Sequence, residues 1–191
     1  MKFNDKIVLI TGASRGIGRE VAKQFAERGA TIAIHYNSNL EAAEQTKTML
    51  AGDGHIIVQA NMDNPEAIKL MVDSVAEQLG RIDILVNNAG IYEEYPLDEV
   101  SYEEWQGHFR RVLDVNLIGA ANTTYCAAQY MIKNGGGRIV NVSSRGANRG
   151  EPTAPAYGAS KAGMNIMGQS LAKLLAPHNI YIGTVAPCFT E

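Results

Sequence analysis

Short apolar runs rich in β-branched residues alternate along this chain with longer stretches of helical periodicity. The runs are KIVLIT, TIAIHY, HIIVQA, IDILVN, RIVNVS and YIGTVA, and helical stretches such as GIGREVAKQFAERG and NPEAIKLMVDSVAEQLG lie between them. This alternation is typical of repeated βαβ units, in which the strands are parallel. It predicts an α/β fold with a doubly wound parallel sheet flanked by helices on both faces.

Length and composition predict one domain over residues 1–191, with 46% hydrophobic and 19% charged residues. The net charge of −3 offers no basic field for nucleic acid or anionic lipid. The run IVLI near the start is too short for a signal peptide or a membrane span, so we expect a cytoplasmic protein. Cys126 and Cys188 suit reduced thiols. No metal site is expected, because the four histidines show no ligand spacing: His35, His55, His108 and His178.

A glycine-rich turn, TGASRGIG at 11–18, falls between the first strand and the first helix. Gly12, Gly16 and Gly18 allow a sharp turn and close approach of a ligand, and the helix that follows presents free N–H groups to an anion. No Gly-Lys-Ser/Thr sequence follows, which excludes a Walker A loop. The context favours a pyrophosphate site over a simple tight turn.

Polar or glycine-rich segments follow the carboxyl ends of most strands. They occupy residues 11–18, 36–38, 61–63, 87–90 and 143–144. In a doubly wound sheet these ends line one crevice, where ligands bind. The sequence therefore predicts that these segments converge in space.

Tyr157 and Lys161 are four residues apart, and a serine pair, Ser143-Ser144, precedes them at the end of an apolar run. On a helix this spacing places the phenol and the ammonium group on one face. Both groups can then point into one cavity, where a serine at the end of the strand could meet them. An isolated pair of this kind is more often an ordinary surface tyrosine and lysine, and the other motifs decide between the two interpretations.

Five motifs occur together in this chain: TGASRGIG at 11–18, NNAG at 87–90, Asn116 in DVNLIG, VSS at 142–144 and YGASK at 157–161. In this order they resemble the short-chain dehydrogenase/reductase family over the whole chain. The resemblance implies a Rossmann-type fold and an oxidoreductase.

The resemblance also assigns roles to four residues. Tyr157 would be the general acid/base, and Lys161 would hold the nicotinamide ribose and favour the phenolate form of Tyr157. Ser144 would bond the substrate oxygen, since the family's catalytic serine commonly stands thirteen positions before the tyrosine. Asn116 would assist a water-linked proton relay, although a core amide bonding a carbonyl is also compatible with its position.

The end of the second strand bears on the choice of cofactor. NAD-specific folds place an acidic residue there to bind the ribose 2′-hydroxyl, but residues 32–39 contain no carboxylate. Arg15 could bind a 2′-phosphate, with Asn37 or Ser38 adding hydrogen bonds. We therefore predict NADP(H). The predicted cofactor-binding residues are Gly12, Ser14, Arg15, Gly16, Ile17, Gly18, Tyr36, Asn37, Ser38, Asn61, Met62, Asn88, Ala89, Gly90, Tyr157, Lys161 and Pro187.

The resemblance favours hydride transfer to a small-molecule carbonyl or from a secondary alcohol, with a 3-oxoacyl thioester, free or linked to a carrier protein, as the first candidate substrate. Sugar or polyol dehydrogenation remains an alternative. Lys133, Arg145 and Arg149 are the cations expected near the mouth of the site, where a carrier protein would dock.

Two further expectations come from the resemblance. The sequence stops at FTE, before the substrate-covering lid helices and the last strand of the family, and we expect that this chain omits those elements rather than that the molecule lacks them. A chain that lacked its lid could be an NADP-binding module without efficient catalysis. Relatives assemble through the apolar helix that corresponds to 112–131, which predicts a homodimer or homotetramer.

Overall fold

The computed structural model describes residues 2–188. Within this range six parallel strands form one sheet with the order β3-β2-β1-β4-β5-β6. This confirms the predicted doubly wound sheet. The strands are β1 (Ile7–Ile10), β2 (Thr31–Tyr36), β3 (Ile56–Gln59), β4 (Ile84–Asn87), β5 (Gly137–Val142) and β6 (Ile180–Val185).

Helices connect the strands and cover both faces of the sheet. Over the described residues they are α1 (Gly16–Ala26), α2 (Leu40–Thr48), α3 (Pro65–Leu79), α4 (Tyr102–Leu113), α5 (Gly119–Lys133), α6 (Gly146–Arg149) and α7 (Pro155–Leu175). A π-helical segment, Asp114–Ile118, joins α4 to α5, and a 3₁₀ turn, Ala176–His178, follows α7.

Residues that alternate along the strands build two hydrophobic layers. In β1, Leu9 faces a core formed with α3 and α5, whereas Val8 and Ile10 face a second core formed with α1 and α2. All three side chains are fully buried. A strand that is buried on both faces needs a continuous apolar sequence, which explains why the strand segments read as apolar runs rather than alternating patterns.

Local sequence signals set the ends of α3. The Asn64 side chain accepts a hydrogen bond from the backbone N–H of Ala67, and Pro65 occupies the first helical position. Gly80 ends the helix with a φ of 80°, a left-handed conformation that glycine adopts without steric cost.

Two helices have local features that bear on the site. The long stretch at 102–133 contains a π-helical turn around Asn116, because one extra residue is inserted into the hydrogen-bonding pattern there. Helix α7 begins at Pro155, and Tyr157 therefore lies in its first turn.

The helices found among residues 2–188 include none with the length and apolar character needed to cross a membrane. Over the same residues no three histidine, cysteine, aspartate or glutamate side chains lie together in an arrangement that could hold a metal ion.

Candidate active site

The strand order creates a crevice between β1 and β4. From β1 the chain moves outward through β2 and β3, and it then returns to the other side of β1 to form β4, β5 and β6. A reversal of this kind separates the loops at the carboxyl ends of the two central strands, and ligands bind in the crevice they leave. The segments that follow β1, β4 and β5 all lie at this edge, as predicted.

The glycine-rich turn has the geometry of an anion-binding loop. Gly12 and Gly16 have φ values of 65° and 56°, which disfavour any other residue. A Cβ at Gly18 would overlap the carbonyl oxygen of Gly12, so a larger residue cannot occupy that position without moving the loop. The first residue before α1, Arg15, provides no side-chain cap, and the first turn contains no acidic residue. The N–H groups at the start of α1 are thus available to a phosphate.

A buried histidine supports this loop. The N–H of Gly12 donates to His35 Nδ1 over 2.9 Å, and His35 Nε2 donates to the carbonyl oxygen of Ala60 over 3.0 Å. Burial lowers the pKa of His35 to about 4, so the ring is neutral near pH 7 and can accept and donate at the same time. No motif in the sequence indicates this role of His35, because Gly12 and Ala60 lie far from it along the chain.

Arg19 of α1 connects the glycine-rich loop to α2 through hydrogen bonds. Its guanidinium donates to the carbonyl oxygen of Ser14 over 2.5 Å and, through Nε, to Thr46 Oγ1 over 2.9 Å. The Thr46 hydroxyl also lies 3.1 Å from the Ser14 carbonyl oxygen. The loop is thereby connected to α2.

The asparagines after β4 connect the central strands. Asn87 donates through Nδ2 to Thr124 Oγ1 and to Asn141 Oδ1, which joins β4 to α5 and to β5. The side chain of Asn88 donates to the carbonyl oxygens of Thr11 and Gly12. The NNAG motif therefore fixes the separation of the strands on either side of the crevice.

A groove of about 720 Å³ runs past the glycine loop and the end of β2. The uncapped helix start, the lack of a Cβ at the turn and the volume of the groove fit a dinucleotide. Most of the predicted cofactor residues line it: Gly12, Ser14, Arg15, Gly16, Ile17, Tyr36, Asn37, Ser38, Asn61, Met62, Asn88, Ala89 and Gly90. Gly18 lies behind the loop instead. Arg111, which the sequence analysis missed, also lines this groove.

Tyr157 and Lys161 lie side by side in an adjoining pocket of about 370 Å³. The Lys161 ammonium is 5.7 Å from the centre of the Tyr157 ring, and it donates a hydrogen bond of 2.8 Å to the carbonyl oxygen of Val142. Lys161 is only 3% exposed, and its burial lowers its pKa to about 8. This pocket and the groove share Ile17 and Asn88 among their lining residues, so the two cavities are neighbours.

The two serines before α6 differ in environment. Ser143 is buried, and its hydroxyl donates to the carbonyl oxygen of Lys161 over 3.4 Å. Ser144 lines the pocket, and its Oγ accepts a hydrogen bond from the N–H of Gly146 over 3.1 Å. The hydroxyl hydrogen of Ser144 can still be donated into the pocket, which suits the role predicted for Ser144 rather than Ser143.

Asn116 lies behind the pocket and is fully buried in the π-helical turn. Its Oδ1 accepts from the N–H of Ile91 over 2.8 Å, and its Nδ2 donates to the Ile91 carbonyl oxygen over 2.9 Å and to Ser160 Oγ over 3.2 Å. The side-chain amide is thus occupied in holding the segment after β4 against α7.

Several residues of the pocket were not among the predicted site residues. Pro187, which was predicted, lines the pocket together with Tyr92, Arg145, Glu151 and Cys188. The Tyr92 ring meets the Tyr157 ring edge-on, with the centroids 5.0 Å apart at an angle of 78°. No motif signalled these residues, because they belong to three segments, after β4, β5 and β6, that come together only in the folded chain.

One of the three cations assigned to the mouth of the site lies elsewhere. Lys133 is the last residue of α5, and the chain enters β5 at Gly137. It therefore lies at the amino edge of the sheet, opposite the crevice, because the helix runs antiparallel to the strands it connects. The prediction for Lys133 was wrong. Arg145 lines the pocket itself, and Arg149 lines a neighbouring groove beside α6.

Known proteins are similar to this chain in sequence over most of its length. The short chain dehydrogenase family matches residues 6–191. The 3-oxoacyl-acyl-carrier-protein reductase FabG of Thermotoga maritima is 40% identical over 195 residues, which cover 100% of this chain and 76% of that protein. The reductase of the same name from Staphylococcus aureus is 38% identical over 186 residues, or 96% of this chain and 74% of that protein.

Solved structures share the fold at similar levels of identity. A dehydrogenase/reductase from Sinorhizobium meliloti has a TM-score of 0.92 at 32% identity, with 100% of this chain and 74% of that chain covered. An NAD⁺-bound xylitol dehydrogenase has a TM-score of 0.90 at 34% identity, with 100% and 73% covered. The matched sequence, the shared architecture and the motifs at the crevice agree, and the chain belongs to the short-chain dehydrogenase family.

Proposed function

We propose that this protein is an NADP(H)-dependent oxidoreductase that interconverts a carbonyl compound and the corresponding alcohol. One observation supports this most strongly: Tyr157, Lys161 and Ser144 line a pocket that shares lining residues with the groove beside the glycine loop. The hydroxyls of Tyr157 and Ser144 thus lie next to the end of the groove at which the nicotinamide of a bound cofactor would lie.

Each of the three side chains has a task in carbonyl reduction. A bound nicotinamide supplies hydride chemistry. The Tyr157 hydroxyl gives its proton to the substrate oxygen as negative charge develops there, and the Ser144 hydroxyl donates a second hydrogen bond to the same oxygen. Lys161 places a positive charge 5.7 Å from the centre of the Tyr157 ring, beside the negative charge that the proton transfer leaves there. Asn116 keeps the pocket wall in place for these transfers.

The rim of the groove supports NADP(H) as the cofactor. Tyr36, Asn37 and Ser38 line the groove after β2, where an NAD-specific enzyme would carry a carboxylate. Arg15 lines it too and is exposed, so its guanidinium can form a bidentate contact with a 2′-phosphate. The similarity to an NAD⁺-bound xylitol dehydrogenase makes the choice of cofactor worth a direct test.

Two substrate classes follow from the relatives. 3-Oxoacyl thioesters are the first, because two of the relatives are named 3-oxoacyl-acyl-carrier-protein reductases. Arg145 at the pocket supports docking of an acidic carrier protein. A polyol or sugar is the second, since a solved relative is a xylitol dehydrogenase and the pocket contains the carboxylate of Glu151.

The test is a substrate panel assayed with each cofactor. Oxidation of NADPH and of NADH is followed with acetoacetyl thioesters, aldoses and simple ketones, and the KM of each cofactor is measured. We expect turnover with a lower KM for NADPH. A lower KM for NADH would contradict the cofactor assignment, and tight NADPH binding without turnover of any compound would indicate a binding module rather than an enzyme.

We also propose that the protein is a homodimer or homotetramer. Large apolar side chains are exposed on two long helices, with Tyr125 at 67% on α5, and Ile166 and Leu174 at 62% and 65% on α7. Exposed apolar groups of this size mark interaction surfaces when they lie together on a face. Light scattering that gave only the monomer mass would contradict this proposal.

A further inference from the structure

Glu151 occupies the side of the pocket next to Ser144. It lies in the loop between α6 and α7, and its side chain packs over Gly146, where a Cβ would overlap the carboxylate. Gly146 is the residue whose N–H donates to Ser144 Oγ. Gly146 therefore contacts both the carboxylate of Glu151 and the hydroxyl of Ser144, which is proposed to bond the substrate oxygen. Glu151 and Ser144 line the same pocket.

The Glu151 carboxylate is half-buried and receives no hydrogen bond or ion pair from residues 2–188. The neighbouring acidic residues differ in this respect. Glu93 lies 3.1 Å from His108 Nδ1 and 3.4 Å from Arg111, and Glu94 accepts from Tyr92 and from Thr153. A partly desolvated carboxylate without a protein donor is suited to accept one from a ligand.

The rings of Tyr92 and Tyr157 line the same pocket as this carboxylate. The Tyr92 hydroxyl donates to Glu94 over 3.2 Å, and Thr153 Oγ1 donates to the same carboxylate oxygen over 3.0 Å. The N–H of Tyr95 donates to the Thr153 carbonyl oxygen over 2.7 Å. These bonds join the loop after β4 to the loop before α7, so the Tyr92 ring is held against Tyr157. Burial raises the pKa of Tyr92, and the negative charge of Glu151 acts in the same direction, which reflects how near the two groups are.

We propose that Glu151 selects substrates that carry a hydrogen-bond donor, a hydroxyl or an ammonium group, on a carbon next to the reacting carbonyl carbon. This inference rests on the proposed function, because it takes the reacting oxygen to be bound by Tyr157 and Ser144. A 3-oxoacyl thioester presents only acceptor oxygens and sulfur close to its ketone, so it leaves the carboxylate without a donor. Hydroxyketones, polyols and aminoketones supply a donor to this carboxylate.

Three ketones of nearly equal size test the inference. Hydroxyacetone, aminoacetone and 2-butanone differ only in whether a hydroxyl, an ammonium or a methyl group is attached next to the carbonyl. With NADPH and the wild-type protein we expect kcat/KM for the better of the two donor ketones to exceed that for 2-butanone by about ten- to hundredfold, the range for a hydrogen bond to a charged group. Glu151→Leu should abolish this preference.

Glu151→Gln distinguishes the two donor groups. It keeps an acceptor oxygen but removes the charge, so a preference for hydroxyacetone should persist in part while a preference for aminoacetone should vanish. The NADPH dissociation constants of both variants should match that of the wild type, because Glu151 does not line the dinucleotide groove. Equal kcat/KM values for all three ketones, or a preference that survives in Glu151→Leu, would overturn the inference.

A binding measurement separates failure of this inference from failure of the proposed function. Ligand-observed NMR compares propane-1,2-diol with butan-2-ol in the presence of NADP⁺. Tighter binding of the diol to the wild type than to Glu151→Leu supports the inference even if no ketone is reduced, a result that would overturn the proposed function alone. Equal binding of the two alcohols together with absence of turnover would overturn both.

Discussion

Lys161 and Val142 are joined by a hydrogen bond of 2.8 Å from the buried ammonium to the backbone carbonyl at the end of β5. This bond fixes the lysine at the junction of the sheet and α7, beside the ring of Tyr157. Burial lowers the pKa of Lys161 to about 8, so the charge that it contributes to the site depends on a proton that is lost in mildly alkaline solution.

The affinity for NADPH should therefore fall above pH 8. As Lys161 loses its proton, the site loses a positive charge and a donor for the cofactor, and the dissociation constant should rise by up to about tenfold per pH unit once the lysine is neutral. Cofactor fluorescence measured between pH 6.5 and pH 10 checks this. Lys161→Met should bind weakly at every pH and should lack the alkaline rise. A similar rise in that variant would assign it to another group.

Tyr157→Phe should reduce turnover by about 10²- to 10⁴-fold, the usual contribution of a positioned general acid. NADPH binding should be unchanged, because only the hydroxyl is removed and the ring keeps its contact with Tyr92. Steady-state kinetics and cofactor titration measure both quantities. Tyr181→Phe is the matched control, since Tyr181 lies on β6 and is 53% exposed. Substantial turnover by Tyr157→Phe would refute the assignment.

Arg15→Ala should raise the KM for NADPH by about tenfold or more and leave the KM for NADH nearly unchanged, because only NADPH carries the 2′-phosphate. The control is Arg28→Ala, which removes an exposed arginine near the other end of α1 whose guanidinium contacts Gln24. If both cofactors lose affinity equally, Arg15 contributes to pyrophosphate binding instead.

The free energy of unfolding should decrease as the pH falls from 6.5 toward 4. The pKa of His35 is lowered from 6.5 to about 4 in the folded protein, so in this interval the unfolded chain binds a proton that the folded protein does not. The loss attributable to His35 should total about 3 kcal/mol, the equivalent of this shift. Urea unfolding at several pH values measures it, with His35→Gln as the comparison. Equal slopes in both proteins would show that His35 does not control the acid response.

The sequence predicted those parts of the site that depend on short spacings. Tyr157 and Lys161 are one helical turn apart, and the glycines at 12, 16 and 18 belong to one turn, so the local pattern was enough to place each group on the correct face. The alternation of strands and helices then placed both groups at the same edge of the sheet. These steps required no knowledge of distant contacts.

The features that the sequence did not reveal depend on contacts between distant segments. His35 meets Gly12 and Ala60 only because β1, β2 and β3 are adjacent in the sheet. Tyr92 and Glu151 reach the pocket from two loops whose packing no periodicity describes. The π-helical turn at Asn116 needs one extra residue in a continuous helix, and the sequence around it carries no signal for that insertion.

The brace formed by Arg19 between the Ser14 carbonyl and Thr46 has a thermodynamic consequence. The loop is hydrogen-bonded to α2 through Arg19 and to His35 through Gly12. It therefore loses little conformational entropy when a dinucleotide binds. Preference between cofactors is then decided by side chains at the rim, such as Arg15, while the backbone of the loop serves either cofactor. Exchanging a few rim residues should be sufficient to redirect cofactor use without rebuilding the turn.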